Sequence, residues 1–137
     1  LAGVIGGDLF EIRPQTAYTA ADLDWNNAKS RSSVEMNDPK SRPAMVETPR
    51  LAGYDTVFVG FPIWWYQAPR IIQTFLESAD FSGKTVIPFA TSGGSGMGKT
   101  VELLRSSCAP DTRGQAPVQP CLRAGGLCVD EEPVPVK

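Results

Sequence analysis

Two stretches of this sequence gather the residue types that could do chemistry. Thr91-Ser92-Gly93-Gly94-Ser95-Gly96-Met97-Gly98-Lys99-Thr100 is a glycine-rich run, and Pro62-Ile63-Trp64-Trp65-Tyr66 sets three aromatic residues in a row. Small side chains from Thr91 to Gly94 leave backbone N–H groups open to close approach, and such donors can meet the carbonyls and ring nitrogens of a planar heterocycle. Trp64, Trp65 and Tyr66 cannot all point inward from one loop, and a flat ligand such as a flavin, a nucleobase or a quinone would give their faces something to cover. Each stretch alone has a plainer reading. A glycine run often only leads into a helix, and any single ring can pack under the next element. Their pairing favours binding.

Gly93 to Thr100 also satisfies the phosphate-loop pattern G-x-x-x-x-G-K-[ST], between an expected strand and an expected helix. Nucleotide hydrolysis would further require a second strand that ends in Asp to hold magnesium. The other clear strand ends Val59-Gly60-Phe61-Pro62, and Asp8 and Asp55 precede their strands rather than end them. A phosphate-loop nucleotide binder is therefore an alternative only, and Lys99 is expected to face solvent at the start of a helix. The chain has no histidine, which removes the usual base of side-chain hydrolases and a common zinc ligand. Cys108, Cys121 and Cys128 lack C-x-x-C spacing and read as the reduced thiols of a cytoplasmic protein. No catalytic side chain and no metal ligand is predicted. Glu11, Asp22, Asp24 and Glu35 read as solvated surface, Trp25 as a packing residue and Cys108 as a structural thiol.

The elements that must position these loops follow from periodicity. The 137 residues, 42% apolar and 20% charged, suit one compact core. A net charge of -2 gives no general attraction to nucleic acid or acidic membranes. No apolar run approaches the roughly 20 residues that cross a bilayer. Leu1 to Ile5 reads as the tail of a helix stopped at Gly6-Gly7, Asp8 to Ile12 as a short strand, Ala20 to about Met36 as a helix, and Asn37 to Pro49 as an extended connection broken by prolines. Thr56 to Gly60 and Lys84 to Ala90 read as strands buried on both faces. Each leads through one of the two conspicuous loops into a helix, the first near Pro69 and the second from Val101. Strand, loop and helix, twice over, predict a doubly wound α/β sheet with both loops at the carboxyl ends of its strands, where such sheets bind ligands. The domain is expected over 1–113. The Pro/Gly-rich tail 114–137 is expected to be irregular, with room for one short edge strand around Gly126 to Val129.

The run from Gly53 through Phe61-Pro62-Ile63-Trp64-Trp65, then Pro69 and Thr74-Phe75-Leu76-Glu77, then Phe81 through Thr91-Ser92-Gly93-Gly94-Ser95-Gly96, resembles the flavodoxin-like family of bacterial FMN proteins, a likeness that extends from about Asp8 to Thr112. The resemblance implies a five-stranded parallel sheet between helices, with FMN as cofactor. It implies that Pro62, Ile63, Trp64, Trp65 and Tyr66 line one side of the isoalloxazine ring while Thr91, Ser92, Gly93 and Gly94 meet its polar edge. Electron transfer or flavin-dependent oxidoreduction is the activity implied, with a redox partner protein or a small acceptor such as a quinone; a homodimer is one arrangement that would cover the gap left by the missing first strand and phosphate loop. The chain departs from that pattern at both ends. It opens near the end of what would be the first helix, so the first strand and the phosphate loop are expected to be missing, and 114–137 does not resemble the usual ending. FMN phosphate is held by several charge-assisted hydrogen bonds, each worth roughly 1.5–3 kcal/mol, so losing the set is expected to weaken binding by orders of magnitude. A truncated remnant with weak or no cofactor binding is accordingly an alternative.

Overall fold

The computed structural model describes residues 1–108 and the pair Leu127–Cys128. Helix α1 (Ala2–Ile5) ends at Gly6, in the left-handed conformation with φ 65°, so the expected helix tail and glycine stop are both present. Asp8 to Ile12 is extended but is not a strand. Its backbone finds no hydrogen-bond partner among the described residues, and the chain pairs only farther on, where Pro14 bridges Met45. An apolar extended run needs a neighbouring strand before it becomes a ladder, and none lies beside this one among the described residues.

The helix expected from Ala20 shortens to α2 (Arg31–Asn37). The preceding residues form turns because their own side chains capture the backbone: Thr19 N–H donates to Asp22, Asn26 N–H to Asp24 and Lys29 N–H to Asn27. Asp and Asn offer the chain local bonds that compete with a helical ladder. Ser30 ends that competition by capping α2, its hydroxyl accepting from Ser33 N–H.

Strands β1 (Thr56–Pro62) and β2 (Thr85–Thr91) pair in parallel, in a register that sets Val57 beside Val86, Val59 beside Pro88 and Phe61 beside Ala90. A third strand, β3 (Leu127–Cys128), pairs antiparallel with β2 at Ala90 and Thr91. It falls where a short edge strand was expected. The rest of the segment 114–137 lies outside the described residues.

Helices α3 (Arg70–Glu77) and α4 (Thr100–Cys108) pack against each other and share one core with Val59, Phe61, Val86 and Ala90. This layering makes the strands alternate in burial. Val59, Phe61, Val86, Pro88 and Ala90 are buried, while Phe58, Ile87 and Phe89 on the opposite face are half-buried and Thr56, Gly60 and Pro62 are exposed. The expectation of strands buried on both faces is thus corrected: among the described residues, one face carries the core. Gly60 has a specific reason to be glycine, since a Cβ there would lie 2.3 Å from the Phe89 ring that crosses it.

The connection between α2 and β1 is tied down by charge. Arg42 grips Glu77 at the end of α3 with two parallel bonds of 2.7 and 2.8 Å. That grip, ahead of the smaller opposing cost of burial, holds the Glu77 carboxyl below its usual range. A carboxylate whose pKa is depressed by folding adds stability above its unfolded pKa, and the contribution is lost as pH falls through the folded value. Glu77→Gln is expected to lower the unfolding free energy by about 0.5–1 kcal/mol at neutral pH, a value discounted for the exposure of both groups. The urea midpoints of variant and parent should converge below the carboxylate range.

Candidate functional site

The two loops singled out in the sequence meet at the carboxyl edge of the sheet. Ile63 N–H donates to the Thr91 carbonyl at 2.9 Å, extending the β1–β2 ladder by one residue into both loops. The chain then reverses in a tight turn, Trp64-Trp65-Tyr66-Gln67, closed by a bond of 2.8 Å from Trp64 N–H to the Gln67 carbonyl and one of 3.0 Å in return. Both central residues have positive φ, 45° at Trp65 and 62° at Tyr66. That is the sign pattern of a type I′ turn, which ordinarily takes Asn and Gly. Two bulky aromatics in this region cost about 1–3 kcal/mol each, and strain of that kind concentrates at functional sites. The reward is the position of the rings: Trp65 is 41% and Tyr66 69% exposed at the tip of the turn.

The glycine loop holds this turn from behind. Gly98 has φ +53° and sits so close to the turn that an added Cβ would be 2.9 Å from the Tyr66 carbonyl oxygen. The same oxygen faces the Thr100 hydroxyl at 3.5 Å. Thr100 is fully buried, so its hydroxyl is turned to the neighbouring loop and away from the solvent in which a phosphate loop would hold magnesium. Met97 is buried in the core and Lys99 is exposed just ahead of α4. Farther out, Ser92 and Ser95 share a hydroxyl contact of 3.0 Å, and Ser92 also accepts from Gly94 N–H at 3.2 Å.

The chemistry of this edge suits a flat heterocycle. Gly93, Gly94 and Gly96 have no heavy atom within 4 Å of where a Cβ would stand, so the space above their backbone is open. The N–H groups of Gly93 and Gly96 find no acceptor among the described residues. Exposed aromatic faces and free amide donors on adjoining loops are what a ring with carbonyl and imine acceptors would require. Of the nine residues expected at the site, Trp65, Tyr66, Ser92, Gly93 and Gly94 lie on these two outward loops. Pro62 and Thr91 end their strands in exposed positions. Ile63 and Trp64 are half-buried, and Ile63 packs against the core.

Trp64 has a neighbour that its sequence context did not reveal. Its indole meets the Tyr18 ring edge-on, with centroids 5.5 Å apart and planes at 83°. Tyr18 donates to a Glu35 oxygen at 2.5 Å, and Arg31 donates to the other at 2.7 Å. Burial first, and then the Glu35 carboxylate, push the Tyr18 phenol far above its ordinary value, so it remains a donor. Glu35 is therefore not the solvated carboxylate expected, since only 12% of its side chain is exposed. Trp25 reverses the other way: expected to pack, it is 71% exposed. Cys108 matches its expected structural role, buried and with its thiol pushed up to about 11 by burial alone.

A parallel α/β sheet with two adjoining loops at its carboxyl edge defines the class of doubly wound α/β domains, which bind their ligands at that edge. Within that class this chain belongs to the flavodoxin family, whose model matches residues 1–115. It is similar to two crystal structures, each called a "putative flavoprotein". The one from Bacteroides eggerthii is 56% identical with a TM-score of 0.75, over 80% of this chain and 69% of that one. The one from Bacteroides uniformis is 57% identical with a TM-score of 0.74, over 77% and 68%. Among curated proteins none matches. The fold expected from the sequence, flavodoxin-like α/β, is the fold observed. Among the described residues no group of His, Cys, Asp and Glu could hold a metal ion, and no helix is long and apolar enough to cross a membrane.

Proposed function

We propose that this protein binds FMN at the carboxyl edge of its sheet and serves electron transfer or flavin-dependent oxidoreduction. The observation that carries the reading is the strained Trp64–Gln67 turn, which exposes Trp65 and Tyr66 on a loop joined at Ile63–Thr91 to the loop that holds the open backbone of Gly93, Gly94 and Gly96. Trp65 and Tyr66 provide the faces against which the isoalloxazine packs. The N–H groups of the glycine loop donate to its carbonyl and nitrogen edge, and Pro62, Ile63 and Trp64 form the wall that excludes water from the inner side. Bound there, the flavin supplies the redox chemistry, while the protein orients the ring and sets its surroundings. Electrons pass to a redox partner protein or to a small acceptor such as a quinone. The membership in the flavodoxin family supports the cofactor class.

Titration of the purified chain with FMN tests this. Tryptophan emission is expected to quench and the visible flavin bands to shift on binding. Trp65→Ala and Tyr66→Ala should each weaken the association by roughly tenfold, the worth of one aromatic contact. A protein that leaves both the flavin spectrum and its own tryptophan emission unchanged at high FMN concentration would refute the proposal.

A further inference from the structure

Three residues remote from the loops share one cluster with Trp64. Tyr18 stands edge-on to the indole at 5.5 Å, and its own ring is covered on one face by the Arg31 guanidinium, 4.0 Å from the ring centroid. Both partners are tied to the same carboxylate, Tyr18 to one Glu35 oxygen at 2.5 Å and Arg31 to the other at 2.7 Å. Arg31 also donates to the Thr16 carbonyl at 2.6 Å, which fixes the backbone just ahead of Tyr18. Every rotatable group in the chain from Arg31 through Glu35 to Tyr18 therefore has at least two partners.

The cluster is anchored to the core as well. Arg70, on α3, reaches across to the end of α2 and donates to the Met36 carbonyl at 2.9 Å and the Glu35 carbonyl at 3.4 Å. Among the described residues no carboxylate pairs with it, and its third bond, of 3.2 Å, goes to Gln73. The helix that carries Arg31 and Glu35 is thus fixed to the helix that follows the aromatic turn. Both ends of the route from core to Trp64 are tied by hydrogen bonds or ring contact.

From this geometry we infer that Tyr18, held by Glu35 and Arg31, is a positioning residue: it fixes the plane of the Trp64 indole and, through it, the aim of the turn that carries Trp65 and Tyr66. An edge-to-face contact restrains ring rotation because the positive ring edge follows the negative face. Trp64 opens a two-bond turn, so a tilt of its indole is transmitted to the residues at the tip. In its bearing on ligand affinity the inference rests on the flavin reading above. Its mechanical part, the immobility of Trp64, does not.

The test separates the two parts. In the Trp25→Phe, Trp65→Phe background Trp64 is the sole tryptophan, and its time-resolved anisotropy in the absence of flavin should decay only with overall tumbling. Tyr18→Leu and Glu35→Ala should each introduce a nanosecond component. Glu35 touches neither the indole nor the loops, so this effect would travel only through Tyr18. In the otherwise natural sequence, the same two changes should weaken FMN by roughly tenfold. Tyr18→Phe, which keeps the ring edge, should retain most of that affinity. Should Tyr18→Leu or Glu35→Ala fail to fold, Tyr18→Phe and Glu35→Gln keep the volume, and each should show a smaller added indole motion together with a correspondingly smaller loss of FMN affinity. Unchanged Trp64 anisotropy in folded variants overturns the inference, and if FMN still binds, the flavin reading survives it. A parent chain that binds no FMN sinks the flavin reading and leaves the anisotropy to decide the brace alone.

Discussion

Gly98→Val is expected to lower stability by about 2–3 kcal/mol and to abolish most flavin affinity at once. Two penalties coincide at this position. A β-branched side chain in the left-handed region costs about 1–2 kcal/mol, and Gly98 sits there with φ +53°. Its Cβ would also press on the Tyr66 carbonyl oxygen from 2.9 Å, and that oxygen belongs to backbone, which cannot swing aside as a side-chain tip would. Relief requires moving the turn, whose own Trp65 and Tyr66 are already in positive φ. The strain therefore passes from the glycine loop to the aromatic tip. Gly96→Ala is the matching control, since its Cβ meets nothing within 4 Å and its backbone needs no positive φ. It should change the urea midpoint little, within about 0.5 kcal/mol, while still intruding on the space above the loop. Equal midpoints for Gly98→Val and the parent would show that the two loops are not mechanically joined.

Why that junction escaped the sequence is instructive. The alternation of strand, loop and helix was legible because β1, β2, α3 and α4 each carry their signal locally, in apolar runs of strand length and in the spacing of Ile71, Ile72, Phe75 and Leu76. The two loops could be placed on one edge because a parallel pair with crossover helices leaves no other arrangement. What could not be read was pairing between distant residues. Gly98 under the Tyr66 carbonyl and Tyr18 against Trp64 are contacts whose chemistry is not written in either partner's neighbours. Glu35 shows the difficulty most clearly. A glutamate on a polar helix is ordinarily solvated; its pairing with Arg31, one turn earlier on the same helix, is a local contact, and only the arrival of Tyr18 from outside the helix turns it into a part-buried clamp. The short α2 and the unpaired Asp8 to Ile12 failed for related reasons. In the first, side-chain bonds from Asp22, Asp24 and Asn27 competed with the helix. In the second, an apolar run of the right length has no neighbouring strand among the described residues.

The same unpaired run sets up the largest stability effect. Phe75 is 4% exposed, tilted against Phe10 at 5.9 Å and edge-on to Phe81 at 5.7 Å, so one ring joins the α3 core both to the segment before β2 and to the extended run 8–12. That run makes no backbone hydrogen bond among the described residues and is held by Phe10, by the partly buried Ile12 and by the bond that Tyr54 donates to Asp8. Phe75→Ala is expected to cost about 3–5 kcal/mol, as removal of a fully packed aromatic does, which is a large share of the 5–15 kcal/mol that holds a domain together. Phe10→Ala should cost less, because Phe10 is 36% exposed. The two variants separate global from local loosening. Proteolytic cleavage within 8–12 should accelerate in Phe10→Ala while the amides of β1 and β2 remain protected from hydrogen exchange, whereas Phe75→Ala should raise exchange in the strands as well. Strand protection that survives Phe75→Ala would mean that Val59, Leu76, Phe81 and Val86 close the core without it, and that the aromatic chain from Phe10 to Phe81 is not what binds the N-terminal run to the sheet.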